Sequence, residues 1–220
     1  MDIGKSFGFV FEDEKWVTKV LIGGVLNLIP VVNLANVGYS LRTLKNVAAG
    51  AERPLPDWDD FGDFFVKGLL VAVGALIYSI PLLLLLAMSA IVTALAGGGD
   101  QETLAGVAAL CSVGLACVES LYGLVLALWL PAALIEYARA GEFGAFFRFG
   151  DIWSTVARNL GNYVVALVVA WLASLVAGIV GAILCGVGVL FTGFWATVVS
   201  AHLLGQVARE STAVAPAPTI

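Results

Sequence analysis

Long apolar runs alternate along this chain with short segments that hold nearly every basic residue, a spacing that predicts helices crossing a lipid bilayer. Apart from Lys67 near the start of the first, residues 66–96, 104–135 and 160–208 contain a single carboxylate, Glu119, and a single imidazole, His202. Apolar stretches beyond about 18 residues are long enough to span a membrane as helix. Gly97-Gly98-Gly99-Asp100-Gln101-Glu102 separates two of the runs and Gly186-Val187-Gly188 breaks the last, and neither segment carries a basic residue. Both are expected as turns on the non-cytoplasmic side. Basic residues gather at Arg42, Lys45, Arg53 and Lys67, then at Arg139, Arg148 and Arg158, then at Arg209. The positive-inside bias assigns these segments, and the C-terminus, to the cytoplasm.

The first apolar stretch admits two readings. Residues 17–37 form one span, leaving Lys5, Lys15 and Lys19 outside, or Pro30 ends a helix over 17–28 and starts another over 31–47. Proline cannot donate to the preceding turn but suits a helix start. The hairpin is preferred because it keeps every Lys and Arg on one side, although its first arm, at about 1.5 Å per residue, is too short to cross a core of about 30 Å unaided.

A weak repeat supports the hairpin. Each apolar pair follows an aromatic, partly acidic stretch containing Phe-Gly and ending in a basic residue: Phe7-Gly8 to Lys19, Phe61-Gly62-Asp63 to Lys67, and Phe149-Gly150-Asp151 to Arg158. Helical spacing places Trp58, Phe61, Phe64 and Phe65 on one face of the second, and Phe146, Phe149, Ile152, Trp153 and Val156 on one face of the third. Such segments are expected to lie at headgroup depth, with Trp16, Trp58, Phe61, Phe65, Phe149 and Trp153 as interfacial anchors. Pro81 and Pro131 are expected kink points in the two longest helices. Residues 211–220, with Pro216 and Pro218, lack periodicity and are expected to be disordered. The expected architecture is therefore all-α: a polytopic membrane bundle with one transmembrane domain over 1–210. Its six helices form three hairpins, at about 17–47, 66–138 and 160–208, and both termini are cytoplasmic.

Composition sharpens this picture. With 60% hydrophobic residues, 12% charged residues and a mean hydropathy of +0.99, the chain carries about half the charge of an ordinary soluble domain, which has roughly 25%. A net charge of −5 with scattered basic residues argues against nucleic acid, whose phosphates require clustered Lys and Arg. The expected partners are the lipid bilayer and other membrane protein subunits. The opening Met1-Asp2-Ile3-Gly4-Lys5 does not resemble a secretory signal, so the first apolar helix is expected to be retained. Cys111, Cys117 and Cys185 fit no metal or redox spacing and are expected as small core residues.

Few residues offer chemistry. Glu119, with Tyr122 three residues on and Asn33, Asn36 or His202 from other helices, is a candidate polar membrane site for a proton or cation. The alternative for Glu119 is a protonated acid bonded to one neighbouring helix. His202, with Ala201 and Gly205 leaving room for a flat ring, is a candidate axial ligand of haem or chlorophyll, against a plain hydrogen bond to a neighbour. Asn27, Asn33 and Asn36 flank Pro30 as expected caps of broken helix ends. Small residues recur as Ala108, Ser112, Ala116 and Ser120, and as Ala170, Ser174, Gly178 and Ala182. Both stripes permit close helix contact, within the chain or with a partner subunit, and internal packing is the expectation for each. Asp57 is expected to cap an interfacial helix, and a metal site from Asp57, Asp59, Asp60 and Asp63 is disfavoured because the calcium-loop glycine and glutamate are missing. No catalytic constellation is present in the sequence, so an enzyme, a resident metal and a resident cofactor are not expected.

Several motifs carry a family likeness: Phe9-Val10-Phe11-Glu12-Asp13-Glu14-Lys15-Trp16, Leu21-Ile22-Gly23-Gly24, Leu28-Ile29-Pro30, Gly38-Tyr39-Ser40-Leu41-Arg42 and Leu55-Pro56-Asp57-Trp58-Asp59-Asp60-Phe61. With Glu136-Tyr137-Ala138-Arg139 and Phe146-Phe147-Arg148-Phe149, the chain to about Arg209 resembles the prokaryotic membrane family called domain of unknown function 4013. The resemblance implies a polytopic bacterial or archaeal inner-membrane protein without an established activity, and transfers no site residues. The expected role is a non-enzymatic scaffold or accessory subunit. The alternatives are a small transporter or channel using Glu119, and a pigment- or haem-binding subunit using His202.

Overall fold

In a hydrocarbon layer no water is available to the backbone, so each N–H and C=O must find its partner within the protein, and a helix achieves this locally. The computed structural model describes residues 1–96, 102–184 and 186–213, and all regular structure among them is helical. In chain order the α-helices are α1 (Ile3–Gly8), α2 (Trp16–Leu26), α3 (Leu34–Ala48), α4 (Phe61–Ala96), α5 (Glu102–Ala140), α6 (Phe149–Arg158), α7 (Leu160–Ile183) and α8 (Gly188–Ala213). Tighter 3-10 turns occupy Trp58–Asp60 and Phe143–Phe147.

Among the described residues four segments are long and apolar enough to cross a membrane: Trp58–Ala94, Gly106–Ala140, Leu160–Ile183 and Gly188–Ser211. The first expected pair falls short of this, because α2 and α3 have 11 and 15 residues. Residues 17–37 do not form one helix. The break is wider than a proline alone requires, running from the end of α2 at Leu26 to the start of α3 at Leu34, and within it Val31 adopts φ +71°. That left-handed conformation is strained for a β-branched residue. Pro81 and Pro131 both lie inside continuous helix.

By its internal contacts the chain, expected as one transmembrane domain, divides into two compact units: Met1–Ala72 with Pro131–Ile220, and Val73–Leu130. In the first, α1, α2, α3 and α7 pack on α8, whose apolar window is 56% buried against 22% for α7. Small side chains permit this approach. Ala166, Ala173, Ala177 and Gly181 form the buried face of α7, while Phe9, Ala35, Tyr39, Phe64, Phe194 and Val198 form a core shared by the C-cap of α1, α3, the start of α4 and α8. Where α3 crosses the start of α4, two glycines face each other's backbone. A Cβ at Gly38 would collide with the Phe64 carbonyl, and one at Gly68 with the Leu34 carbonyl. In the second unit, Ser79 and Ser120 donate to the carbonyls four residues back, closing their hydroxyls within their own helices.

The three lead-ins differ in form. Only the third is a separate amphipathic helix, α6, which buries Ile152 and Thr155 and leaves Phe149 and Trp153 exposed. Phe146, expected on its apolar face, lies instead in the preceding 3-10 turn and is buried. The second lead-in is the first turns of α4 itself, and the first is divided between α1, a series of turns and α2. The Gly97 turn lies outside the described residues apart from Glu102, which opens α5. The turn before α8 is present, with Gly186 at φ +76°. Helix α8 runs three residues into the expected tail, with Ser211 buried and bonded to the Val207 and Ala208 carbonyls; residues 214–220 lie outside the described residues.

Candidate functional site

The segment after α3 has no regular ladder to receive its backbone carbonyls, so each needs a partner from elsewhere. Three consecutive carbonyls find one. Pro54 O accepts from Asn46 Nδ2 at 2.9 Å, Leu55 O from Lys19 Nζ at 3.1 Å, and Pro56 O from the Tyr39 hydroxyl at 2.8 Å. Asp57 does not cap the following turn as expected; its Oδ1 lies 3.1 Å from Lys19 Nζ. Trp58 completes the clasp by donating to the Lys19 carbonyl at 3.2 Å and stacking on Tyr39 at 4.3 Å. Lys19 is its centre. Only 5% exposed, this ammonium has three acceptors, the closest being Asp13 Oδ2 at 2.7 Å, which a buried charge requires. Burial raises the Asp13 carboxyl, but hydrogen bonds from Lys19 and the Lys15 N–H, with the charges of Lys19 and Arg53, hold it below its ordinary 3.8. Asp60 and Asp63 turn to Arg42, and Asp63 also to Lys67. The carboxylates of this signature thus serve different cations.

A second polar cluster joins α1 to α8 around His202, which is 4% exposed. Gln206, one turn on, accepts from the Asp2 N–H at 2.5 Å and donates to the Asp2 carbonyl at 2.8 Å. This pairing with backbone fixes the orientation of the amide. The Gln206 Nε2 lies 3.1 Å and the Ser6 Oγ 2.9 Å from His202 Nδ1, while Phe9 covers the imidazole at 4.3 Å. The two protons of the Gln206 amide have three neighbours, Asp2 O, Ser6 Oγ at 2.9 Å and His202 Nδ1, and the Ser6 hydroxyl can donate to Nδ1 or accept from it, so the network accommodates either neutral tautomer of His202.

The other candidates separate by unit. In the first, Asn36 Nδ2 donates to Gly23 O at 2.9 Å and Asn27 Oδ1 at 2.8 Å, and Asn27 Nδ2 donates to Leu190 O at 2.7 Å. These amides tie α3 to α2 and α2 to α8. Asn33 stands at the N-cap of α3 without a side-chain capping bond. In the second unit, the Tyr122 hydroxyl donates to Tyr78 O at 2.8 Å, in the turn before Pro81. Glu119 is half-buried, and its Oε1 is enclosed with no hydrogen-bond partner among the described residues.

Burial divides the expected anchors. Phe61, Phe149 and Trp153 are exposed, whereas Trp58 and Phe65 pack against the core, and Trp16 does so beside an edge-on Phe11. The aromatic pattern could not distinguish a ring facing lipid from one facing a neighbouring helix. Cys111 and Cys117 are exposed rather than internal, because in a hydrocarbon layer the outer surface is as apolar as the core; Cys185 lies outside the described residues. The α7 stripe is displaced in the same way. Its packing face is Ala166, Ala173, Ala177 and Gly181, while Ser174 and Ala182 are exposed and Ala170 and Gly178 half-buried. On α5, Ala108 is buried, Ser112 half-buried, and Ala116 and Ser120 exposed.

Sequence reasoning did not anticipate the Arg139 cluster. Arg139 Nη1 donates to Glu136 Oε1 at 2.6 Å and Thr155 Oγ1 at 3.0 Å, and its Nη2 to Ala208 O and Ser211 Oγ, both at 2.6 Å. This guanidinium binds α5, α6 and α8 together. The (i, i+3) spacing of Glu136 and Arg139 was the only local signal; the other partners are remote in sequence.

No curated protein and no solved structure matches this chain. A family model described as a protein of unknown function (DUF4013) matches residues 22–186, well over half of the chain and inclusive of the clasp segment at 54–58, and the chain belongs to that family.

Proposed function

We propose that this protein is a non-enzymatic scaffold or accessory subunit of a prokaryotic inner membrane, working by helix contact with other membrane proteins. The outward position of the α7 small-residue stripe carries the reading. Ser174 and Ala182 are exposed and Gly178 has nothing within 4 Å of an added Cβ, while a different face of α7 already packs on α8. Small residues permit close approach of a second helix in lipid, where packing rather than hydrophobic burial drives association. Exposed Trp171, Leu175 and Ile179 flank the stripe. The polar groups of the first unit bond mainly to one another, which supports a structural rather than a catalytic role.

In this reading six helices form three pairs, α2–α3, α4–α5 and α7–α8, with both termini cytoplasmic. The first pair, roughly 16 and 22 Å long, reaches only part-way into a core of about 30 Å. Basic residues at Arg42, Lys45, Arg139, Arg148, Arg158 and Arg209 support the orientation, and the exposed rings of α6 support a position at headgroup depth.

Disulfide trapping tests the proposal. With Cys111, Cys117 and Cys185 replaced by serine, Ser174→Cys in native membranes is expected to give an oxidation-dependent adduct with another polypeptide, and Ala166→Cys none. Absence of any Ser174→Cys adduct would overturn the scaffold reading. A second reading, transport of a proton or cation through Glu119, is favoured by the enclosed, unpartnered Oε1. It requires flux into proteoliposomes that Glu119→Gln abolishes.

A further inference from the structure

Beside the His202 cluster, at the basic end of α8, lies a cavity of about 230 Å³ lined by Asp2, Lys5, Gly50, His202, Gln206 and Arg209, among others. Ser6 and Gln206 engage His202 through Nδ1. Among the described residues no hydrogen bond engages Nε2, although 96% of the side chain's residue surface is covered, leaving it at 4% exposure. Nε2 is thus the ring nitrogen free to meet a ligand. Lys5 and Arg209 are exposed and, among the described residues, neither forms an ion pair. Asp2, the one carboxylate in the lining, already receives the Lys5 N–H at 2.9 Å through Oδ1.

We propose that this cavity is an anion site that takes a phosphate group through Lys5, Arg209 and His202 Nε2, the bound anion selecting the tautomer that carries its proton on Nε2. Two cations and a ring N–H suit a multi-oxygen anion, since charge-assisted hydrogen bonds are the stronger kind. The two cations oppose a metal ion. The volume is below the range of about 300–1,000 Å³ usual for larger organic ligands, so a compact group fits better than a tetrapyrrole. Residues 188–208 are uncharged, and Arg209 is the first charge after them. The site thus lies where the apolar part of α8 ends, the depth of lipid phosphates. The phosphate can belong to a lipid headgroup or to a soluble phosphorylated molecule.

The single histidine of the chain provides the test. Full-length protein labelled with 15N-histidine is purified in a phosphate-free maltoside detergent and titrated in separate arms with phosphatidylglycerol, with diacylglycerol and with inorganic phosphate. The His202 Nε2 resonance is expected to shift saturably with phosphatidylglycerol, toward the protonated-nitrogen value, and not with diacylglycerol. A shift with phosphatidylglycerol alone assigns a lipid ligand; a shift with inorganic phosphate as well assigns any phosphate source. In Lys5→Gln/Arg209→Gln, both substitutions at exposed positions, the apparent affinity is expected to fall at least tenfold while the free-state Nδ1 and Nε2 shifts stay in place, reporting an intact cluster. No shift with either phosphate ligand, an equal shift with diacylglycerol, or unchanged affinity in the double variant would each overturn the proposal.

Discussion

The two units use polar side chains to different extents. In the first, Lys19, Tyr39, Asn36, Arg139 and His202 each bond to a different segment of the chain, so polar groups fix the relative positions of short helices. In the second, Tyr122 bonds across to the Tyr78 carbonyl, but Ser79 and Ser120 bond within their own helices, and Leu84, Leu110, Val113 and Leu121 are exposed. Only 6% of the apolar windows of α4 and α5 is buried, against 56% for α8. Helices too short to be held by lipid alone require specific internal bonds, whereas long apolar helices are retained by the bilayer itself and leave their surfaces open to lipid or partner.

This contrast is easiest to break at the glycines. Gly38→Leu or Gly68→Leu would drive a side chain into the facing backbone, and is expected to abolish the monodisperse peak in size-exclusion chromatography. Gly114→Leu in the second unit, with nothing within 4 Å of its added Cβ, is expected to leave the peak unchanged. Equal behaviour of the two substitutions would remove the distinction between the units. Next in size is Lys19→Met. Removing one partner of a buried ion pair costs about 3–5 kcal/mol, and a clear fall in thermal midpoint is expected in detergent.

The Asp13 carboxyl sharpens the same point through pH. Its pKa is lowered in the folded protein, so its ionisation stabilises the fold above the unfolded value, and that contribution disappears as pH falls through the folded value. The stability difference between the wild type and Asp13→Asn is therefore expected to be full near neutrality and to shrink below about pH 4. A difference independent of pH would disprove the charged clasp. Tyr39→Phe, which removes the bond to Pro56 O, is expected to cost about 1 kcal/mol. The smallest effect is expected in the second unit, where Leu121→Ala, at a side chain 66% exposed, should change stability by less than about 0.5 kcal/mol.

Membrane character was legible in the sequence because it depends on run length and charge content alone. The break near Pro30 was legible too, since proline and asparagine impose local backbone limits. The clasp was visible only as a signature. Leu55-Pro56-Asp57-Trp58 stood out, but its role lay with Lys19 and Asp13, about 40 residues away. The face of α7 that packs was mistaken for its neighbour, because two small-residue stripes offset by a few positions look alike until α8 is placed.

What the sequence determined by itself was therefore local: which segments are apolar enough for a bilayer, where helices stop, and which side chains carry charge. The tertiary structure alone decided which of those charges are buried, which nitrogen of His202 faces Ser6 and Gln206, and which rings face inward. The reason is physical. Hydropathy and helix propensity are set by each residue and its near neighbours, whereas burial and hydrogen-bond partnership depend on groups brought together from remote parts of the chain.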